Sequence, residues 1–207
     1  GQGEEGTMRR LTNEELQAFL TSLQVDFDVR VPVRLHDGTR GLGRPDDGPL
    51  ALEGGRLPRT PTELFSPQSE PVFTALSRGI PKTPAPLEKP FCAVGFTAQD
   101  LACLRFIDRF FASDFCDDLY FSRREGALIV VFSGYSGEGG EFLPVAGSGC
   151  DLELIRDGEG WILTVCSEAG RGIERRMAGD SVDCDLSLEE LRRKSEEILR
   201  EEQALLL

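Results

Sequence analysis

Histidine is almost missing from this 207-residue chain: His36 is the only one. It stands beside "DG" in a turn-like context and reads as an exposed, idle residue. Any Ser–His or Cys–His machinery would hang on that single turn residue. The paired Cys/His spacings that hold zinc are missing too. The six cysteines, at 92, 103, 116, 150, 166 and 184, include no C-x-x-C pair. No stretch approaches the roughly 18 apolar residues of a membrane span, and no charged-then-apolar signal opens the chain. Positive charge is short as well: 23 Lys and Arg against 36 Asp and Glu leave a net charge of −13. Nucleic acid and anionic membrane surfaces are poor partners for such a field, because both need a basic face. The basic clusters Arg123–Arg124, Arg175–Arg176 and Arg192–Lys194 are brief and interleaved with acids, as on a solvated face.

What is present is the composition of a folded globular protein, 40% hydrophobic and 29% charged, with 13 phenylalanines and the lone Trp161. Its length suits one sizeable core or one core with a small appendage. Nothing points to secretion, so the cysteines read as buried free thiols and the cytoplasm as the expected compartment. Residues 1–10 read as a tag or a disordered terminus, 11–180 as a single α/β domain, and 186–207 as a C-terminal arm helix.

Thr12 opens "TNEELQAFLTSL" with Glu15 three residues on, a capping box. Leu16, Phe19, Leu20 and Leu23 follow at helical spacing. In "FDVRVPVRL", Val29, Val31, Val33 and Leu35 alternate with polar residues, a strand that Pro32 assigns to a sheet edge. Residues 37–62 read as turns with one short hairpin, and residues 77–90, with four prolines, as an extended connector. "PFCAVGF", "TAQDLACLRFIDRFFAS" and "GALIVVFSG" then give strand, helix, strand. Both strands are nearly all apolar, the pattern of a crossover in a partly parallel sheet. In that helix Leu101, Leu104, Ile107 and Phe111 make one stripe and Phe106 with Phe110 another, which predicts cover on two sides. "CDLELIRDGEGWILTVCS" reads as a hairpin around "DGEG", and "EAGRGIERRM" as a short helix. "SLEELRRKSEEILREEQALLL" begins with a capping box and carries a thin seam of Leu191, Ile198 and Leu205. The fold class that follows is α/β, a mixed sheet with a central strand–helix–strand crossover, a β-hairpin in the C-terminal half and flanking helices.

The loop after the second strand of the crossover holds Gly134, Gly137, Gly139 and Gly140. Their spacing fits neither nucleotide fingerprint, no Walker lysine follows, and Glu138 and Glu141 would repel a phosphate. Acidic pairs such as Asp46–Asp47 and Asp117–Asp118 lie in turn contexts that favour aspartate locally. No catalytic residue set emerges, so the chain is not expected to be an enzyme by itself.

"RTPTELFSPQSEPVF", "CAVGFTAQDLACLRFIDRFF", "DDLYFSRREGALIVVFSG" and "SGCDLELIRDGEGWILTVCSEAG" occur in this order over most of the chain. Together they resemble the N-terminal domain of the 4Fe-4S dicluster electron-transfer subunits of the sulfhydrogenase beta-subunit and anaerobic sulfite reductase A-subunit type. The resemblance implies a cysteine just before the aspartate at the strand–helix junction, a C-x-C in the glycine loop, and a ferredoxin-like module after the last helix. Here Gln99 stands before Asp100, the loop has no cysteine, and Cys103 and Cys150 do not restore the ligand set. Because amide and carboxylate oxygens replace thiolates poorly around iron–sulfur clusters, no cofactor and no metal is expected.

The expected function is therefore that of a non-catalytic, cluster-less relative, an accessory or docking component of an anaerobic redox complex. Its partners would be other subunits of a hydrogenase- or reductase-like assembly, docking on Leu191, Ile198 and Leu205 or on the phenylalanine-rich helix. The alternative is a small-molecule site in the vacated pocket, lined by Gln99, Asp100, Arg105, Gly134, Tyr135, Gly137, Gly139 and Gly140.

Overall fold

Capping chemistry starts the first helix where the sequence puts it. Glu15 N–H donates to Thr12 Oγ1 at 3.1 Å, and Thr12 N–H donates to Glu15 Oε2 at 3.2 Å, so a capping box opens α1 (Asn13–Leu23). The stripe Leu16, Phe19, Leu20 and Leu23 is buried. Ahead of it, Met8–Leu11 forms strand β1. This corrects the assignment of residues 8–10 to a tail. Met8, Arg9 and Arg10 pair with Thr164, Leu163 and Ile162, and the Arg9 guanidinium donates to the buried Glu174 carboxylate. The computed structural model describes residues 8–52, 57–66, 74–75, 81–82, 88–113, 117–135, 142–177 and 186–205. The first seven residues and most of the proline-rich connector lie outside that set.

Strand β2 (Asp28–Arg34) buries Val29, Val31 and Val33 and turns back into β3 (Arg40–Gly43), so the hairpin here takes its first strand from before residue 37 and not from within residues 37–62 as expected. Beyond it a 3-10 turn at Pro61–Leu64 seats the buried Phe65, and two short strands, β4 (Thr74–Ala75) and β5 (Pro81–Lys82), pair with each other. Next comes β6 (Phe91–Phe96), which pairs in parallel with β2. Pro32 is thus not on an edge strand, a second correction. Leu35 N–H donates to Thr39 O, so odd-numbered residues of β2 bond β3 and Pro32 turns its missing N–H the other way. On that side the β6 ladder has already ended at the Arg30–Ala93 pair, and Ala51 N–H donates to Pro32 O. Gly95 marks the place with a bulge and a φ of 116°, and a Cβ there would lie 2.9 Å from Pro32 Cγ.

From β6 the chain runs through α2 (Ala98–Ser113) and α3 (Asp118–Arg124) into β7 (Leu128–Tyr135), parallel to β6 and beside it. The expected strand–helix–strand crossover is therefore present. β8 (Phe142–Leu143) pairs with the end of β7, β9 (Leu152–Asp157) runs parallel to β7, and β10 (Gly160–Val165) folds back on β9. The hairpin turns at Gly158, whose φ of 60° suits glycine. α4 (Glu168–Glu174) and α5 (Leu186–Leu205) complete the described chain. The mixed sheet has the order β1-β10-β9-β7-β6-β2-β3, with β8 beside β7.

Helices cover both faces. α1 and Ile173 of α4 pack over Val29, Val31, Val94, Val130, Phe132, Leu154 and Leu163. On the other face Leu101 and Leu104 of α2 and Tyr120 of α3 pack over Ala93, Ile129 and Val131, while Leu191 of α5 joins Ile155 and Ile162. Tyr120 Oη donates to Asp108 at 2.5 Å and Arg124 grips the same carboxylate at 3.1 and 3.2 Å, fastening α3 to α2. The second stripe of α2 is not covered. Phe106 is 68% exposed and Phe110 52%, which overturns the expectation of cover on two sides.

This contrast sets a stability prediction. Leu104→Ala should cost about 2–5 kcal/mol in urea unfolding. Phe106→Ala should stay within about 0.5 kcal/mol of the parent. Equal losses for the two would mean that α2 presents a different face to the sheet.

Candidate functional site

The cleft expected at the carboxyl ends of β6 and β7 is only partly assembled. Asp100 does not face a ligand space: it is 4% exposed, and its Oδ2 accepts from Thr97 N–H and Oγ1, both at 3.0 Å. Asp100 N–H returns the bond to Thr97 Oγ1 at 3.2 Å, a second capping box. Gln99 is exposed on the first turn of α2, and the exposed Arg105 lies farther along, beside Gly149. Gly134 holds a φ of 89° opposite Leu143, where a Cβ would come within 3.3 Å of Arg156 N, so the fold itself accounts for this glycine. Tyr135 ends β7 opposite Phe142. Gly137, Gly139 and Gly140 lie outside the described residues. Three clefts among the described residues, of about 640, 590 and 540 Å³, are lined by none of Gln99, Asp100, Arg105, Gly134 or Tyr135.

The helical seam divides likewise. Leu191 packs on Ile155 and Ile162, and the 3% exposed Ser195 accepts Val145 N–H at 3.0 Å through Oγ. α5 thus docks on its own domain, through Leu191 on the sheet and through Ser195 on the 144–150 segment. Ile198 is half-buried and Leu205 86% exposed.

Ionisable groups converge elsewhere, at the amino ends of β7 and β9. Asp151 N–H donates to Ile129 O, Asp151 Oδ2 accepts Ile129 N–H at 2.8 Å, and Cys166 N–H donates to Asp151 O. Cys150, just ahead of Asp151, is therefore brought beside Cys166 at the exit of β10. Strand register adds Glu153, which pairs with Thr164 on β10 and Val131 on β7 and so shares the face covered by α2 and α5. One ligand atom each from Cys150, Glu153 and Cys166 lie within 4.8 Å of one another.

The segment 144–150 roofs this cluster. Ala146 N–H donates to Ser133 Oγ at 3.3 Å and Gly147 N–H to Glu153 Oε2 at 2.6 Å. Glu153 is 1% exposed, and its Oε1 is buried with no hydrogen-bond partner among the described residues. Burial pushes its carboxyl above the ordinary glutamate range, against the pull of Gly147 N–H and the charge of Arg192 on α5. Cys166 is drawn down because the Cys150 thiol donates to it, with help from the Thr164 hydroxyl. Cys150 is pushed up as the donor and by burial.

Chemically, two sulfurs and a carboxylate in this arrangement suit a soft or borderline divalent ion or a thiol–disulfide step. The exclusion of zinc for want of adjacent Cys/His pairs does not reach this cluster, because the β9–β10 hairpin joins thiols distant in sequence. The signal was available: a turn at Gly158–Glu159 sets Asp151 against Cys166 and Glu153 against Thr164. Compared with protein-family profiles, curated proteins and solved structures, the chain matches none.

Two measurements check these assignments. Asp100→Ala should cost about 0.5–2 kcal/mol as a lost cap, and Gln99→Ala should cost almost nothing. An Asp100→Ala protein as stable as its parent would reopen the ligand role. In timed iodoacetamide labelling at pH 8, exposed Cys103 should react first of the four cysteines among the described residues. Burial pushes Cys92 up to about 12, so at pH 8 it should stay unlabelled until the protein unfolds, and Cys166 should precede Cys150. Rapid labelling of Cys92 would contradict the burial assigned to β6.

Proposed function

We propose that this chain is a non-catalytic relative of the iron–sulfur electron-transfer subunits, serving as a docking component of a redox complex without carrying a cluster of its own. The observation that carries the docking role is the exposed pair Phe106 and Phe110 on α2. These large apolar side chains stand one turn apart, flanked by the exposed Arg105 and Arg109 on a protein whose net charge is −13. Large apolar residues kept on a surface helix carry a solvation cost that a partner relieves. The fitting partner is a flavin- or cluster-bearing subunit with an apolar patch rimmed by carboxylates that answer the two arginines.

The cluster-less half of the reading rests on donor chemistry at the former ligand corner. Gln99 offers an amide, and Asp100 spends its carboxylate on the helix cap. Cys150 and Cys166 are level with Ile129, six residues of strand from Tyr135, or about 20 Å at roughly 3.3 Å per residue. An iron–sulfur cluster needs about four thiolates close together.

The test has two arms. Protein purified anaerobically should contain no stoichiometric iron and sulfide and show no broad absorbance near ~400 nm. In cell extracts the parent should co-migrate with a flavin- or cluster-bearing polypeptide, and a Phe106→Ser/Phe110→Ser variant should lose it while its unfolding midpoint stays unchanged. Bound iron with sulfide, or a variant that retains the partner, would overturn the proposal.

A further inference from the structure

Cys150, Glu153 and Cys166 form a donor set that neither the docking role nor the fold requires. We propose that these residues bind one soft divalent cation of the zinc class, as a mononuclear dithiolate–carboxylate site independent of the docking reading.

The argument begins with Glu153. A carboxylate at 1% exposure normally finds a partner for each oxygen, yet only Oε2 has one, the Gly147 amide. The sulfurs and a carboxylate oxygen lie within 4.8 Å of one another, so side-chain shifts of about 1 Å bring them to the roughly 3.3–3.8 Å that separates donors around one tetrahedral ion. A Cys150–Cys166 disulfide would engage the sulfurs and leave Glu153 Oε1 orphaned. A cation engages all three donors.

Ligand type narrows the ion. Two thiolates favour zinc-class metals over magnesium or calcium, which take oxygen donors. With both thiols and the carboxyl deprotonated, the site carries −3 against +2, and Arg192 on α5 supplies nearby positive charge. Binding releases the ligand protons to solvent. The surroundings already orient one donor: Gly147 N–H holds the Glu153 carboxylate. With only three donors from this set, the fourth position falls to water or to a donor outside the set.

The decisive experiment titrates the reduced, metal-free full chain with Co²⁺ as a spectroscopic probe. One Co²⁺ per chain should bind with sulfur-to-metal charge transfer and tetrahedral ligand-field bands, and Zn²⁺ should bleach both. A Cys150→Ser/Cys166→Ser variant should lose the charge transfer, whereas Cys103→Ser should keep it. Glu153→Gln should keep it with affinity weakened at least about 10-fold. In the parent protein, where no substitution can disturb folding, Zn²⁺ should slow alkylation of Cys150 and Cys166 at least about 10-fold and leave Cys103 unaffected. The proposal is overturned if reduced protein binds no Co²⁺, if the double variant binds it unchanged, if Glu153→Gln has parental affinity, or if Zn²⁺ protects neither thiol.

Discussion

One aspartate fixes the arrangement of the C-terminal half. Asp151 Oδ2 accepts Ile129 N–H at 2.8 Å, and Oδ1 accepts the Ser167 hydroxyl at 2.6 Å. Its main chain bonds Ile129 O on one side and Cys166 N–H on the other. The start of β7, the exit of β10 and the cap of α4 therefore meet at a single residue, since Ser167 also accepts Gly170 N–H at 3.0 Å. Hydrogen bonds to a charged group contribute about 1.5–3 kcal/mol each, enough for one side chain to govern local geometry. Gly170 belongs to the same constraint, because a Cβ there would lie 2.0 Å from Asp151 O.

From that anchor the chemistry of the opposite face follows by register. Once Cys166 stands level with Asp151, Thr164 stands opposite Glu153, and period-two alternation leaves Glu153 no route to solvent. Its place on β7's flank is taken by Val131, and the 144–150 segment closes over it with one amide. A carboxyl so placed is costly to ionise unless a cation or further donors reach it, which is why its proton is held above the usual glutamate range. The same strand geometry that buries Ile155 thus creates a charged-group problem two residues earlier.

Local chemistry made much of the fold legible in the sequence. The capping box at Thr12–Glu15, the alternating valines of β2, the apolar β6 and β7 and the "DGEG" turn each declare themselves within a few residues. Relations across the sheet were harder to read. Pro32 suggests an edge by its missing donor, but its tolerance depends on where the β6 ladder stops and on Ala51. Phe106 and Phe110 follow a helical period as faithfully as Leu101 and Leu104, and periodicity does not say which stripe meets the sheet. The candidate site was obscured for a different reason. Cys150 and Cys166 belong to no short motif, and Glu153 looks like an ordinary polar residue of an alternating strand until the other face is also covered.

The two ends of the parallel strands are consequently used in different ways. At the carboxyl end of β6, Asp100 is committed to starting α2, so a ligand there would compete with the helix cap. At the amino ends of β7 and β9, Asp151 performs the structural work and leaves its neighbours' sulfurs and Glu153 Oε1 uncommitted among the described residues. Freedom from structural duty separates a donor that can bind from one that cannot. By that measure the uncommitted donors among the described residues gather at the amino ends of β7 and β9. The helix between them, α2, is buried through Leu101 and Leu104 and turns Phe106 and Phe110 outward, so a partner docking there need not disturb either end.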